Sequence, residues 1–308
     1  MCNERQKFAV LLAVYNGIHW IEEQVDSILT QENVTVSLFI SVDPSVDGTL
    51  EWCESLAARE ARVILLPDVG VFGGAAKNFF RLIRDVDFSG FDYVSFADQD
   101  DVWFKDKLIS AHSKIVEHDA DAYSGNVMAF WEDGRKVPVC KSQPQKKWDF
   151  LFEAAGPGCT YVLKTKLANA IKKTIVTNWH AIQEVYLHDW FCYAFARAND
   201  YKWFIDPEPK MLYRQHENNQ VGINSGIRSL LTRFNKVVNG FGLEQSKLIG
   251  ELVGLSGDAF FMSWSGLQRI DKFKLAFSAM NCRRRFRDQI YFFLVCIFLS
   301  LQPNKLEC

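Results

Sequence analysis

The stretch Asp98-Gln99-Asp100-Asp101 carries the densest chemistry in the chain. Carboxylates this close repel one another unless a cation or a set of donors compensates. Oxygen ligands of this kind suit a hard divalent cation that also takes substrate phosphates. The plainer reading is a solvated turn in which Asp101 caps the next helix. A second acidic turn, Asp43-Pro44-Ser45-Val46-Asp47-Gly48-Thr49, could accept from a nucleobase N–H or a ribose hydroxyl. It could equally be an Asx turn with Asp47 or Thr49 starting a helix. Gly73-Gly74-Ala75-Ala76-Lys77-Asn78 sets small residues at the opening of a helix, where free N–H groups and the Lys77 charge favour phosphate. His188-Asp189-Trp190 places an acid beside aromatic bulk, the setting of a general base, although a helix-surface carboxylate has the same spelling. Tyr213-Arg214-Gln215-His216, with Asn218 and Asn219 close behind, is either a polar loop or a place where Arg and His meet a diphosphate or a metal.

The elements between these residues put them on common ground. Phe8–Val14 is a continuous apolar run, the pattern of a strand buried on both faces. Val34–Val42, Val63–Leu66 and Tyr93–Ala97 read as further strands, and helices are expected over Trp20–Leu29, Thr49–Ala58, Ala75–Arg84 and Lys107–His118. Strands alternating with helices imply parallel pairing with right-handed crossovers. The turn Tyr15-Asn16-Gly17 and the two acidic turns then leave one edge of one sheet, where open α/β sheets bind ligands. Farther on, Ala122–Phe130 and Cys159–Leu163 read as strands, with the loop Gly156-Pro157-Gly158 before the second, and Lys166–Lys173 and Glu184–Ala198 as helices. Beyond a soft boundary at Gly222, helical spacing through Ile227, Leu230, Leu231, Phe234, Val238 and Phe241 predicts a helical C-terminal region.

Composition narrows the classes. The 308 residues, 48% hydrophobic and 23% charged, are those of a folded chain with a sizeable core. A net charge of −2 gives no electrostatic case for nucleic acid. Eight cysteines without a CxxC pair point to reduced thiols in a cytoplasmic protein. No Gly-x-Ser-x-Gly elbow speaks for a serine hydrolase, and the first turn lacks a dinucleotide-binding fingerprint.

Taken in order, the Tyr15-Asn16-Gly17 turn, the Asp43 turn, "DQDDVW" at 98–103, the Gly-Pro-Gly loop, "HDW" at 188–190 and "YRQH" at 213–216 resemble the family 2 inverting glycosyltransferases of the GT-A fold. Bacterial rhamnosyltransferase-like members are the most similar. The resemblance spans roughly Phe8 to Gly222 and implies a Rossmann-like, mostly parallel α/β sheet with a C-terminal helical extension. It implies a catalytic domain over 1–222, split into a nucleotide-sugar half (1–120) and an acceptor half (121–222), with a helical region over 223–308. By the resemblance Asp189 is the catalytic base. Val14, Tyr15, Asn16, Asp43, Lys77, Asp98, Gln99 and His216 bind the donor. Gly158, Cys159, His188 and Trp190 meet the acceptor, and Asp98, Asp100 and His216 hold Mg²⁺ or Mn²⁺. One departure from the family pattern is Val42-Asp43-Pro44, where two adjacent acids and a glycine are usual; it bears on base recognition. The implied donor is dTDP-rhamnose or a UDP-hexose. The implied acceptor is a glycan or lipid-linked glycan of a bacterial surface polysaccharide such as O-antigen or capsule. A nucleotidyltransferase, or a sugar-nucleotide-binding protein without turnover, are the competing readings. The first lacks a use for Asp189, and the second would tolerate its loss.

Arg283, Arg284, Arg285 and Arg287 precede the apolar run Ile290–Leu301. Twelve residues are too few to span a bilayer, which takes ~20. Basic residues beside a short apolar helix suggest peripheral contact with the inner face of the cytoplasmic membrane, or else a helix packed on protein with its arginines solvated.

Overall fold

The computed structural model describes residues 5–216 and 239–302. Among them, two sheets form. The larger has seven strands, with β1 (Lys7–Val14) at its centre. On one side of β1 lie β2 (Thr35–Val42) and β3 (Val63–Leu65), and on the other β4 (Tyr93–Ala97), β9 (Val162–Lys164), β6 (Ala122–Gly125) and β10 (Trp203–Asp206). β1 runs parallel to both β2 and β4, whereas β9 is antiparallel to β4 and β6. Phe8, Val10 and Leu12 face one hydrophobic core and Ala9 and Leu11 the other, which is why β1 has no polar side.

The register decides where the site is. Val14 pairs with Val42, and Leu12 with Ala97. The turns after β1, β2 and β4 therefore emerge together. The chain leaves β1 for β2 on one side and returns on the other to β4, so the crevice between their carboxyl ends is a topological switch point. Helices α1 (Ile21–Leu29), α2 (Thr49–Arg59), α3 (Ala75–Asp85) and α4 (Lys107–Glu117) cover the faces, each within two residues of its expected span.

The middle third departs from expectation. The apolar run 122–130 is two strands in two sheets: β6, and β7 (Val127–Phe130), which joins the four-stranded sheet with β5 (Val102–Trp103), β8 (Lys136–Val139) and β11 (Met211–Arg214). Asn126 makes the break. Its amide donates to the Pro207 carbonyl at 2.8 Å and accepts from the Lys141 and Ser142 N–H groups at 2.6 and 3.1 Å. The expected strand Cys159–Leu163 begins as a 3-10 turn, Gly158–Thr160, and only Val162–Lys164 is β. The helix expected over Lys166–Lys173 runs longer, as α5 (Thr165–Thr177), and a single turn, α6 (Trp179–Ile182), follows it. The helix expected over Glu184–Ala198 forms as α7 (His188–Ala198), so His188 and Asp189 occupy its first turn.

The boundary at Gly222, with Ile227, Leu230, Leu231, Phe234, Val238, Asn218 and Asn219, lies outside the described residues. From Phe241 the chain is helical with short turns, ending in Phe286–Leu301. Leu243, Ile249, Phe261, Trp264, Leu275 and Phe292 share one hydrophobic cluster with Phe150 and Phe191, so these helices extend the core on that face of the sheet.

Candidate active site

The crevice opens into a cavity of about 1130 Å³. Its first wall is built by latching the turns together. The Tyr15 N–H donates to the Gln99 amide oxygen at 2.7 Å, and the Gln99 amide nitrogen returns a bond to the Tyr15 carbonyl at 2.8 Å. A Cβ at Gly17 would lie 2.5 Å from that amide oxygen, so only glycine fits. Asn16 and Ser45 exchange with the opposing backbone, and Asp47 accepts from Ile18 and Thr49, closing the Asx turn that starts α2. Asp43 is buried, and its two oxygens accept from the Phe72 and Gly73 N–H groups, each at 2.9 Å. Asp43 thereby holds the glycine loop against the cavity while keeping a free lone pair on each oxygen.

The acidic cluster stands at the centre. Asp98, Gln99 and Asp100 line the cavity, and Asp100 Oδ2 lies 2.7 Å from His216 Nε2. The His216 ring stacks on Trp20 at 4.2 Å. Asp101 turns inward instead of capping α4, whose N-cap position is Asp106. One Asp101 oxygen accepts from the Arg214 N–H at 3.1 Å, and the other has no partner. Burial raises the Asp98 carboxyl above the ordinary range, and the charges of Asp100 and Asp189 add to it. Burial and the same crowding raise Asp101 further. This is the electrostatic signature of acids waiting for positive charge. Two carboxylates and an imidazole on one wall suit Mg²⁺ or Mn²⁺.

The start of α7 also lines the cavity. A Cβ on Gly158 would lie 2.7 Å from His188 Nε2 and 3.1 Å from the Asp189 Cβ, so glycine lets the helix start press against this loop. The Trp190 N–H donates to Asp189 at 2.7 Å, and the Gly158 backbone lies close enough to act on its charge. Burial pushes the Asp189 carboxyl up to about 6, with these groups and Lys141 opposing. His188 stacks on Phe79 at 3.9 Å, and burial lowers it to about 3, so its ring is neutral.

Of the residues anticipated from sequence, Val14, Tyr15, Asn16, Asp43, Asp98, Gln99, Asp100, Gly158, His188, Asp189 and His216 line one cavity. Three do not. Lys77 is on α3 two residues beyond Ala75, and a turn of about 200° carries it off the face that Gly74, Ala75, Ala76 and Asn78 present. Cys159 is fully buried under the aspartates, with its sulfur within 4.8 Å of carboxylate oxygens of Asp98 and Asp101. Trp190 points into the core and donates to the Phe150 carbonyl at 2.9 Å. Arg214 is also spent internally: it donates to the Asp100 carbonyl at 2.8 Å and pairs with Glu23.

The C-terminal arginines need a larger correction. Arg284 is buried, paired with Asp149 and Glu153, and donates to the Ala154 carbonyl at 2.5 Å. Arg283 and Arg285 line the cavity, and of the four only Arg287 is largely exposed. Trp20, Lys141, Gln143 and Glu153 are further wall residues that the sequence reading missed. Trp20 could have been suspected, since a ring directly after the first turn has little else to cover.

The profile of the Glycosyl transferase family 2 matches residues 9–160. The chain is 46% identical to a dTDP-rhamnosyl transferase of Shigella flexneri, RfbG, over 93% of its own length and 99% of the relative's. The fold is that of S. aureus TarS residues 1–349, solved in complex with UDP (TM-score 0.57, 14% identity, covering 96% of this chain and 89% of that one). It is also that of a Pyrobaculum calidifontis mannosyltransferase, solved with GDP-Man and Mn²⁺ (TM-score 0.50, 14% identity, 96% and 86% covered).

Proposed function

The chain belongs to glycosyl transferase family 2, and from that premise we propose that this GT-A enzyme moves rhamnose from dTDP-rhamnose to a hydroxyl of a glycan or lipid-linked glycan. The product belongs to a bacterial surface polysaccharide such as O-antigen. Sugar transfer is the activity of the family, so nucleotidyl transfer and binding without turnover fall away as readings. The dTDP-rhamnose donor is taken from the Shigella flexneri relative. The observation that carries the mechanism is that Asp98, Asp100, His216 and Asp189 all line one cavity.

Each residue then has one task. The turns held by Asn16, Asp43 and Gln99 receive the nucleoside. Asp98, Asp100 and His216 would hold a divalent cation, Mg²⁺ or Mn²⁺, whose chemistry there would be to offset charge on the leaving diphosphate. Asp189 takes the proton of the acceptor hydroxyl as its oxygen attacks the anomeric carbon. That bond forms as the bond to the diphosphate oxygen breaks, in line, so the anomeric configuration inverts. Neutral His188 supplies a flat face beside the base without adding charge.

No helix of the described residues is long and apolar enough to cross a membrane. The helix Phe286–Leu301 nevertheless exposes Phe286, Ile290, Leu294, Phe298 and Leu301 on one stripe at near four-residue spacing, while Phe292, Cys296 and Leu299 pack inward. Phe273, Phe277 and Met280 continue the apolar surface. This supports peripheral contact with the inner leaflet, through rings and aliphatic side chains more than through the arginines.

The test is nucleoside diphosphate release with dTDP-rhamnose, UDP-glucose, UDP-galactose and UDP-N-acetylglucosamine side by side, with and without a polyprenyl-linked glycan. Release that requires acceptor and prefers dTDP-rhamnose by tenfold or more is expected; equal use of a UDP-sugar overturns the donor assignment.

A further inference from the structure

The acceptor side of the cavity carries positive charge that the transfer reaction as described does not use. Lys141, Arg283 and Arg285 all line it, from segments far apart in the chain. Lys141 follows β8, and its backbone is pinned by the Asn126 amide at 2.6 Å. Its side-chain stem lies over Gly156, 3.6 Å from where a Cβ there would stand. Arg283 is tied by one guanidinium nitrogen to the Phe152 carbonyl at 2.8 Å, and its Nε is buried without a hydrogen-bond partner. Arg285 reaches Gln143, whose amide oxygen, oriented by this network, accepts its Nε at 3.0 Å.

The acids nearby do not neutralise this group. Asp149 is taken by Arg197 and Arg284, and Glu153 chiefly by Arg284, with only a long 3.9 Å contact to Arg283. Asp288 also lines the cavity but pairs with Arg287. Among the described residues no carboxylate lies within ion-pair distance of Lys141 or Arg285. The cations repel each other as well: burial and the fields of Arg285, Arg284 and Arg283 all lower Lys141, with Glu153 opposing. Charges gathered at such a cost are characteristic of a site that receives an anion.

We propose that Lys141, Arg283 and Arg285 form an anion subsite that binds a phosphate or diphosphate group of the acceptor beside Asp189. It rests on the reading that gives the donor diphosphate to Asp98, Asp100 and His216. A doubly charged oxyanion matches three converging donors better than a hydroxyl of a neutral sugar does. The group could belong to a polyprenyl diphosphate or to a phosphorylated glycan. Phe286, the residue after Arg285, is 74% exposed and begins the outward apolar stripe, so a prenyl tail would have a path from this subsite to the surface.

The experiment is calorimetric titration of the full-length chain, first saturated with dTDP and Mg²⁺ so that the donor wall is filled, with inorganic pyrophosphate, geranyl diphosphate and glucose 1-phosphate. Wild type should bind pyrophosphate at one further site. Lys141→Gln and Arg285→Gln should each weaken it tenfold or more while dTDP affinity stays within about twofold. Tighter binding of geranyl diphosphate assigns the group to a prenyl carrier, and tighter binding of the sugar phosphate assigns it to the glycan; either supports the subsite. No pyrophosphate binding by the dTDP-loaded wild type, or equal affinity in both variants, overturns it. Failure of dTDP to bind, with pyrophosphate still lost in the variants, would instead remove the donor reading and leave the anion site standing.

Discussion

Replacing Asp189 by Asn tests the base and its environment in one variant. Burial holds the carboxyl near about 6, where its ordinary value is 3.8. Each pH unit between those values is worth about 1.4 kcal/mol, so the ionised side chain costs the fold at most about 3 kcal/mol, less whatever the open cleft screens. The sign follows from linkage. A folded-state value above the unfolded one means that the contribution to stability is complete below about 4 and lost as pH rises through about 6. The substituted amide keeps an oxygen for the Trp190 N–H, which donates to the native carboxylate at 2.7 Å, and carries no charge. In EDTA the variant should therefore melt about 2–5 °C above wild type at pH 8 and within a degree or two at pH 4. Transfer should fall ~10²–10⁴-fold with donor binding intact. In wild type, kcat/KM should drop about tenfold per unit below pH 6, since only the ionised base accepts a proton. A variant that melts like wild type at pH 8 refutes the buried-charge argument; one that transfers within a few-fold of wild type refutes the assignment of the base.

Three further outcomes follow from the same geometry. Chelation should abolish transfer, and Asp100→Ala should lower the rate by two or more orders of magnitude with an unchanged melting curve; full turnover in excess EDTA would count against a cation at Asp98, Asp100 and His216. Gly158→Ala puts a methyl group 2.7 Å from His188 Nε2, so α7 must shift; a tenfold or greater loss of kcat and about 1–3 kcal/mol of destabilisation are expected, measured by kinetics and denaturant melts. Changing Ile290, Leu294 and Phe298 together to Glu should abolish co-sedimentation with anionic liposomes at both low and high salt while leaving the fold intact, because the inward residues Phe292, Cys296 and Leu299 are untouched; binding that vanishes in high salt alone would point to the basic residues instead.

The parts legible in the sequence are those dictated by local pattern. A strand buried on both faces reads as an apolar run, as β1 does after Lys7 and β4 does but for the buried Ser95, so the sheet edge and its three turns could be placed from local pattern alone. The cavity then collected most of the anticipated residues. What was not legible depended on rotation or distance. Lys77 and Asn78 are adjacent letters, yet helical rotation puts only Asn78 on the cavity. The split at Asn126 has no turn signal, because it is made by hydrogen bonds to residues 15 and 81 positions away. Arg283 and Arg285 stand more than 90 positions beyond Asp189, beside an apolar helix that offered a simpler use for their charge.

That distance changes what the C-terminal helices are for. Arg283 and Arg284 donate to the carbonyls of Phe152 and Ala154, and Glu153 accepts from the Arg284 N–H at 2.7 Å. Four residues beyond Ala154 is Gly158, where an added Cβ would lie 3.1 Å from the Asp189 Cβ. A buried pair such as Arg284 with Asp149 is costly to break, about 3–5 kcal/mol when one partner is removed, so this connection is rigid. The segment that carries the outward apolar stripe is thus tied to the loop that packs against Asp189, the proposed base, and it also lines the cavity through Arg283 and Arg285. A lipid-linked acceptor docked along the stripe would deliver its phosphate to Lys141, Arg283 and Arg285, and its hydroxyl to Asp189, without any element having to move. Binding at the surface and orientation of the base are in that sense one property of the fold, set by residues that the catalytic motifs themselves do not contain.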